Sequence, residues 1–189
     1  MIITISGKPG SGKSTIAKKL EKILGFKRYY MGGERRKIAR KLGITLEELN
    51  KRDEKEFFSD KIVDEYIVKL AKEKDNIIIE GRTAFHFAPN SIKIFFEVDP
   101  KEGARRIFKD SKEGKRPEER YSTVEEVYKA NKRRVESDIK RYKKYYGFNC
   151  YDHKHYDIVI DTTNKTVDQV LQETLEALKK HGVKVNRNS

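Results

Sequence analysis

The stretch GKPGSGKST, Gly7 to Thr15, follows directly on the apolar start MIITIS. Its spacing is glycine, four residues, glycine, lysine and a hydroxyl residue, with Gly7, Gly12, Lys13 and Ser14 in the diagnostic places of a phosphate-binding loop. Glycines such as Gly10 and Gly12 let successive backbone N–H groups turn toward one anion. The whole run of Gly7, Lys8, Pro9, Gly10, Ser11, Gly12, Lys13, Ser14 and Thr15 is therefore expected to wrap the phosphates of a nucleoside triphosphate. Lys13 adds a point charge for the outer phosphates, which makes it a catalytic candidate. Ser14 offers its hydroxyl to a metal ion, and it opens a helix whose positive N-terminal end faces the same anion. ATP and Mg²⁺ are the expected cofactors.

Working outward from the loop, strands and helices alternate. MIITIS is strand one, and the helix behind the loop runs to Leu24, where Gly25 stops it. KRYYM is strand two, NIIIEGR strand three, SIKIFFEV strand four and YDIVID strand five. Between strands two and three the pattern predicts a helix over 34–42 after Gly32–Gly33, a capping box at Thr45 and Glu48, and a helix over 57–74 with Phe58, Ile62, Tyr66 and Leu70 on one face. Helices at 101–110 and 123–145 follow strand four, separated by KEGKRPEERYS, and a last one runs from Thr166 to Lys180 before a frayed tail, HGVKVNRNS. The break at 114–122 reads as a mobile flap. Five apolar strands with intervening helices predict an α/β fold, a parallel sheet covered on both faces. Ligands should gather beyond the strands' carboxyl ends, which places the loop, 32–36, Glu80–Arg82, Asp99 and 161–164 around one crevice. Glu80 closes a buried strand, where an unpaired acid is costly, so a place near metal-bound water suits it better than packing.

At 189 residues the chain suits a single domain. Its lone cysteine, Cys150, rules out an intrachain disulfide, and neither a basic leader nor an apolar run of about 18 residues is visible, so a cytoplasmic protein without a membrane anchor is expected. The charge is uneven. Of a net +13, a local excess of seven lies between Lys101 and Lys144, where 16 Lys or Arg face 9 Asp or Glu. Neutralising the phosphates of two small nucleotides uses such a cluster, whereas an RNA-binding protein would add a recognisable module. Tyrosines do interleave with the charges in RYKKYYGFNCYDHKHY, so RNA binding stays open as a less favoured reading.

Four further segments are more discriminating: MGGERRKIARKLGITLEELN, IIIEGRTAF, VESDIKRYKKYYGFN and YDIVIDTTNKTVDQV. With the loop, they resemble archaeal-type cytidylate kinases, in the nucleoside monophosphate kinase group, nearly end to end. The resemblance implies a P-loop three-layer fold with strand order 2-3-1-4-5, a helical monophosphate-binding insertion at 32–74 and a closing lid at about 110–125. It also implies site residues. The family's glycine-to-arginine element falls on Gly32 and Arg36, which makes Arg36 a ligand of the acceptor's phosphate. Its EGR falls on Glu80, Gly81 and Arg82, making Arg82 a second. Its paired aspartates match Asp60 and Asp64, with Asp60 the candidate for the ribose or base. Its lid-side arginines match Arg134 and Arg141, joined by Arg105 or Arg106, of which Arg106 is taken as catalytic. The chain departs from many relatives at Gly33, where they carry aspartate, and at TAFHF after EGR.

The activity so implied is ATP-dependent phosphorylation of a pyrimidine nucleoside monophosphate, CMP or dCMP, by a monomer. Another small acceptor (UMP, AMP, shikimate or a sugar acid) is the alternative, with a nucleotide-dependent RNA-binding protein behind it.

Overall fold

The computed structural model describes residues 1–114 and 121–185. Strand β1 (Ile2–Gly7) lies at the centre of a five-stranded parallel sheet in the order β2-β3-β1-β4-β5, with β2 Lys27–Tyr30, β3 Ile77–Glu80, β4 Ile92–Glu97 and β5 Ile158–Asp161. Ile3, Ile5, Ile77, Ile78, Ile79, Phe95 and Phe96 are buried in the three central strands, which explains their unbroken apolar runs. The pairings Ile5 with Glu80, Tyr30 with Glu80, Gly7 with Phe96 and Glu97 with Asp161 bring the five carboxyl ends to one edge. The strand order and the parallel sense are those the sequence and its resemblance imply.

One face of the sheet is covered by α1 (Lys13–Leu24) and α8 (Val167–Lys180), through Ile16, Leu20, Val170 and Leu178. The other is covered by α4 (Ser59–Glu73) and the short α5 (Ala84–Phe87), through Val63, Ile67 and Ala84. Two further helices, α2 (Met31–Leu42) and α3 (Leu46–Glu56), stand between β2 and α4, and α6 (Pro100–Lys112) and α7 (Val124–Tyr146) follow β4. Thr45 and Glu48 form the expected capping box, and Thr166 with Gln169 forms a second one at α8. No helix among the described residues is long and apolar enough to cross a membrane. The flap read at 114–122 falls mostly on 115–120, outside the described residues.

Four local expectations change. The glycines of MGGERR lie inside α2, because the helix starts at Met31 directly behind β2. A Cβ at Gly32 would stand 2.8 Å from the Tyr30 ring, so that glycine is there to let the ring pack against the helix. The inward stripe of α4 is Asp60, Val63, Asp64 and Ile67, while Phe58 and Ile62 are 36% and 44% exposed. Asp53 fixes that rotation by accepting from the backbone N–H of Phe58 and Ser59 and from the Ser59 hydroxyl. Two paired aspartates thus occupy the face that hydrophobicity alone assigned to Phe58 and Ile62. Helix α5 was not anticipated, because a single turn is too short to show a period. The tail is not frayed at its start: Val183 donates its backbone N–H to Leu178 and is buried in the core.

Candidate active site

The phosphate loop leaves β1 at Gly7 and ends at Gly12, which caps α1 in the left-handed conformation. At Gly10 (φ +79°) a Cβ would stand 2.2 Å from the carbonyl oxygen of Gly103, so the loop rests directly on the first turn of α6 and only glycine fits. Gly103 was not singled out in the sequence, since nothing local marks a contact 93 residues away. Pro9 and Ser11 are buried, Thr15 is exposed, and the Ser11 hydroxyl has no hydrogen-bond partner. The Lys13 ammonium donates to the Lys8 carbonyl at 3.4 Å, curling back over the loop. Lys8 pairs with Glu97 at 2.7 Å, and the other Glu97 oxygen meets Nε2 of His153 at 2.9 Å.

Ser14 donates its hydroxyl to Glu80, which is only 1% exposed. A buried carboxylate needs a cation, and Arg28 of β2 supplies it at 2.6 Å. The sequence placed Glu80 here and missed Arg28, whose neighbours in the chain carry no motif. Ser14 and Glu80 together offer two oxygens beside the loop, a donor set that suits a hard divalent cation retaining most of its waters. Among the described residues no cluster of three or more His, Cys, Asp or Glu makes a self-sufficient metal site.

Across the crevice the charges are arranged differently. A buried chain of alternating signs runs from α2 to the end of β3: Arg35 pairs with Asp53 at 2.6 Å and Asp60 at 2.8 Å, Arg141 with Asp60 at 2.7 Å and Asp138 at 2.8 Å, and Asp138 with Arg82. Tyr151 closes it, accepting from Arg82 Nε and donating to Asp138 at 2.7 Å. Burial would push the Asp138 carboxyl up, but Arg82 first and Arg141 next overcome it and hold the group at about 2. Burial pulls Arg82 down while Asp138 raises it further, so its guanidinium stays charged. Asp64 lies beside this chain without a cation at bonding distance. It accepts from the Thr83 hydroxyl at 2.5 Å and from Tyr146, and burial raises its carboxyl to about 7.

These placements sort the expected residues. Arg36 donates to the Tyr30 hydroxyl at 2.6 Å and to the Gly32 carbonyl at 3.4 Å, and with Arg134 it lines a cavity of about 730 Å³ between α2, α3 and α7. Gly81 lies against Met31 at the turn from β3, and Arg82 follows it. Arg141 differs from expectation. It is completely buried, and withdrawing it toward a phosphate would leave the buried Asp60 and Asp138 with one arginine each, Arg35 and Arg82, and the set short of one positive charge. Asp60, 2% exposed, is likewise committed to Arg35 and Arg141 instead of an open ligand surface. Arg106 is not on the lid side: it donates to Glu102 and to the carbonyls of Thr162 and Thr163 at 2.7 and 2.9 Å, clamping the turn between β5 and α8.

Comparison with known proteins places the chain in a family. The model of the cytidylate kinase-like family matches residues 2–164. A cytidylate kinase of Methanocella arvoryzae is 33% identical, covering 95% of this chain and 99% of that protein, and one of Archaeoglobus fulgidus is 31% identical over 99% of both. A third, from Methanothrix thermoacetophila, is 37% identical over 86% of this chain and 88% of its own length. Among solved structures, an uncharacterized protein from Eubacterium ventriosum superposes with a TM-score of 0.66 at 22% identity, covering 95% of this chain and 98% of that one. A shikimate kinase from Bacteroides thetaiotaomicron gives 0.60 at 15% identity with the same coverage. At those identities they speak for the fold alone.

Proposed function

The chain belongs to the cytidylate kinase-like family, and from that membership and the site's geometry we propose that it transfers the γ-phosphoryl group of ATP to a pyrimidine nucleoside monophosphate, CMP or dCMP. The observation that carries this reading is the division of the crevice: a backbone cradle with Lys13 on one side, and on the other a cavity of nucleotide size whose wall includes Arg36 and Arg134. A hydrolase or a nucleotide-dependent binding protein needs the first and has no use for the second.

The chemistry asks little of the protein beyond position and charge. The transferred group passes through a loose transition state with charge spread over its oxygens. Lys13 holds the outer phosphates, and Arg134, facing the cavity from α7, meets the developing charge as acceptor and donor come together. Arg36 holds the acceptor's own phosphate in line. Asp138 and Tyr151 engage Nε of Arg82, and the outer guanidinium nitrogens are assigned to that same phosphate. No side-chain base is required, because a nucleoside monophosphate is largely a dianion at neutral pH, with a second pKa of about 6. Asp60 and Arg141 act as positioning residues that brace α4 against α7. Ser14 and Glu80 would hold Mg²⁺, which supplies charge neutralisation on the donor's phosphates when bound.

In this reading α2 to α4 form the acceptor-binding insertion, and the segment joining α6 to α7 acts as the lid. The enzyme works as a cytoplasmic monomer on small molecules and engages no nucleic acid. A panel of nucleoside monophosphates offered with ATP and Mg²⁺, assayed for diphosphate, tests it. CMP or dCMP should lead; product only with shikimate or a sugar acid, or ATP hydrolysis without any acceptor product, overturns it.

A further inference from the structure

Asn50 stands out among the polar groups of the large cavity. It sits on the inner face of α3 and is only 9% exposed, yet its amide makes no hydrogen bond among the described residues, and the residue lines the cavity. One turn further along the same helix Glu54 shows the contrast. Both of its oxygens are taken, by Ser137 at 2.8 Å and Lys140 at 2.6 Å, and those bonds tie α3 to α7 at the cavity wall. Buried amides are normally partnered, so one left open at a ligand-sized cavity marks a place where a partner arrives.

We infer that Asn50 is a binding residue that holds the base edge of the acceptor nucleotide. The inference rests on the nucleotide-kinase reading above and adds to it. Arg36 and Arg134 in the same cavity give the acceptor its anionic end, and Asn50 gives a neutral donor and acceptor side by side. That pair matches the exocyclic group at C4 and the N3 of a pyrimidine: amine donor and ring acceptor in cytosine, carbonyl acceptor and N–H donor in uracil. The amide can turn over to suit either base, so Asn50 holds pyrimidine edges without itself choosing between CMP and UMP. The Glu54 carboxylate does not supply the choice either, since both its oxygens are held by Ser137 and Lys140.

The test is calorimetric titration of the wild type, Asn50→Leu and Asn50→Asp with CMP, UMP, ribose 5-phosphate and a non-hydrolysable ATP analogue. In Asn50→Leu, CMP and UMP should each bind about tenfold more weakly, while ribose 5-phosphate and the ATP analogue stay within about twofold of wild type. Asn50→Asp puts an acceptor-only group at the same place, which keeps one bond and opposes the other with either base (the amine against ring N3 in cytosine, N3–H against the C4 carbonyl in uracil), so CMP and UMP should again each weaken by about tenfold relative to ribose 5-phosphate. Because aspartate is nearly isosteric, that variant decides the matter should the leucine variant fail to fold. CMP affinity within about twofold of wild type in Asn50→Leu or in Asn50→Asp, or a parallel loss for ribose 5-phosphate, overturns the inference. A wild type that binds ATP analogue but neither nucleoside monophosphate overturns the kinase reading itself, a different and recognisable result.

Discussion

In the proposed kinase the two halves of the crevice solve the same problem, holding phosphate, with different materials. The donor side is nine consecutive residues whose backbone does most of the binding, stiffened by one close contact between Gly10 and Gly103. The acceptor side is assembled from β2, α2, β3 and α7, and behind its cavity lies a buried set of three arginines and three aspartates, Arg35, Arg82, Arg141, Asp53, Asp60 and Asp138. A backbone cradle survives the loss of most side chains around it. A balanced set of buried charges does not, because removing one member leaves another unpaired in a medium that cannot solvate it. Damage to the donor side should therefore appear mainly in rate, and damage to the acceptor side first in stability.

The largest expected effect follows from that asymmetry. Replacing Arg141 by Met keeps the bulk of the stem and leaves three buried aspartates, Asp53, Asp60 and Asp138, to two arginines, Arg35 and Arg82, at a cost of about 3–5 kcal/mol. For a chain of this size the melting temperature should fall by roughly 6–20 °C. A thermal scan that moves by less than about 2 °C would mean the chain of pairs contributes little. Next comes Lys13→Ala, which should lower turnover by roughly 10²–10³ while the melting temperature holds, since that ammonium serves phosphate more than the fold. Near-native turnover in that variant breaks the donor assignment.

How much of this was legible in the sequence follows the same line. The loop and the five strands were readable because each is local or repeats at a fixed period, and the strand order came from the resemblance. The placing of the loop and Glu80 around one crevice was readable too, since both lie at the carboxyl edge of adjacent strands; the direct bond from Ser14 to Glu80 was not foreseen. Arg36 and Arg134 were found through resemblance, and both face the cavity. What failed was anything decided by a distant counter-charge. Asp60 and Arg141 look like solvent-facing residues until each is seen to be the other's partner, 81 residues away. Arg28 lies on a strand without a motif and is assigned only by Glu80 behind it. Arg106 sits where a lid arginine was expected but is captured by two carbonyls of a turn that sequence cannot bring near it. The rotation of α4 was misread for a related reason: two inward aspartates break the apolar stripe, and only their partners make that tolerable.

Two smaller effects sharpen the comparison. Arg36→Met removes a charge-assisted contact worth about 1.5–3 kcal/mol, so the dissociation constant for CMP should rise by roughly one to two decades with the ATP analogue unaffected. A drop in ATP affinity with CMP held would show that the two sides have been assigned backwards. The smallest concerns Asp64. Its carboxyl is raised to about 7 by burial, above the ordinary value of 3.8, so the folded state prefers it protonated. The stability it contributes is full below about pH 4 and is lost as pH rises through about 7. Thermal scans across that window should show a decline with rising pH that Asp64→Asn abolishes; a decline of the same size in the variant would place its origin elsewhere.

The division of the crevice into separate donor and acceptor sites is tested most directly by titrating the wild type with CMP in the presence of a saturating non-hydrolysable ATP analogue and Mg²⁺. One CMP should bind per chain, with an affinity equal to or tighter than that measured without the analogue, because the loop and the Arg36–Arg134 cavity are filled independently. Displacement of CMP by the analogue, seen as loss of the binding heat, would mean a single phosphate site serves both nucleotides and would contradict the arrangement described here.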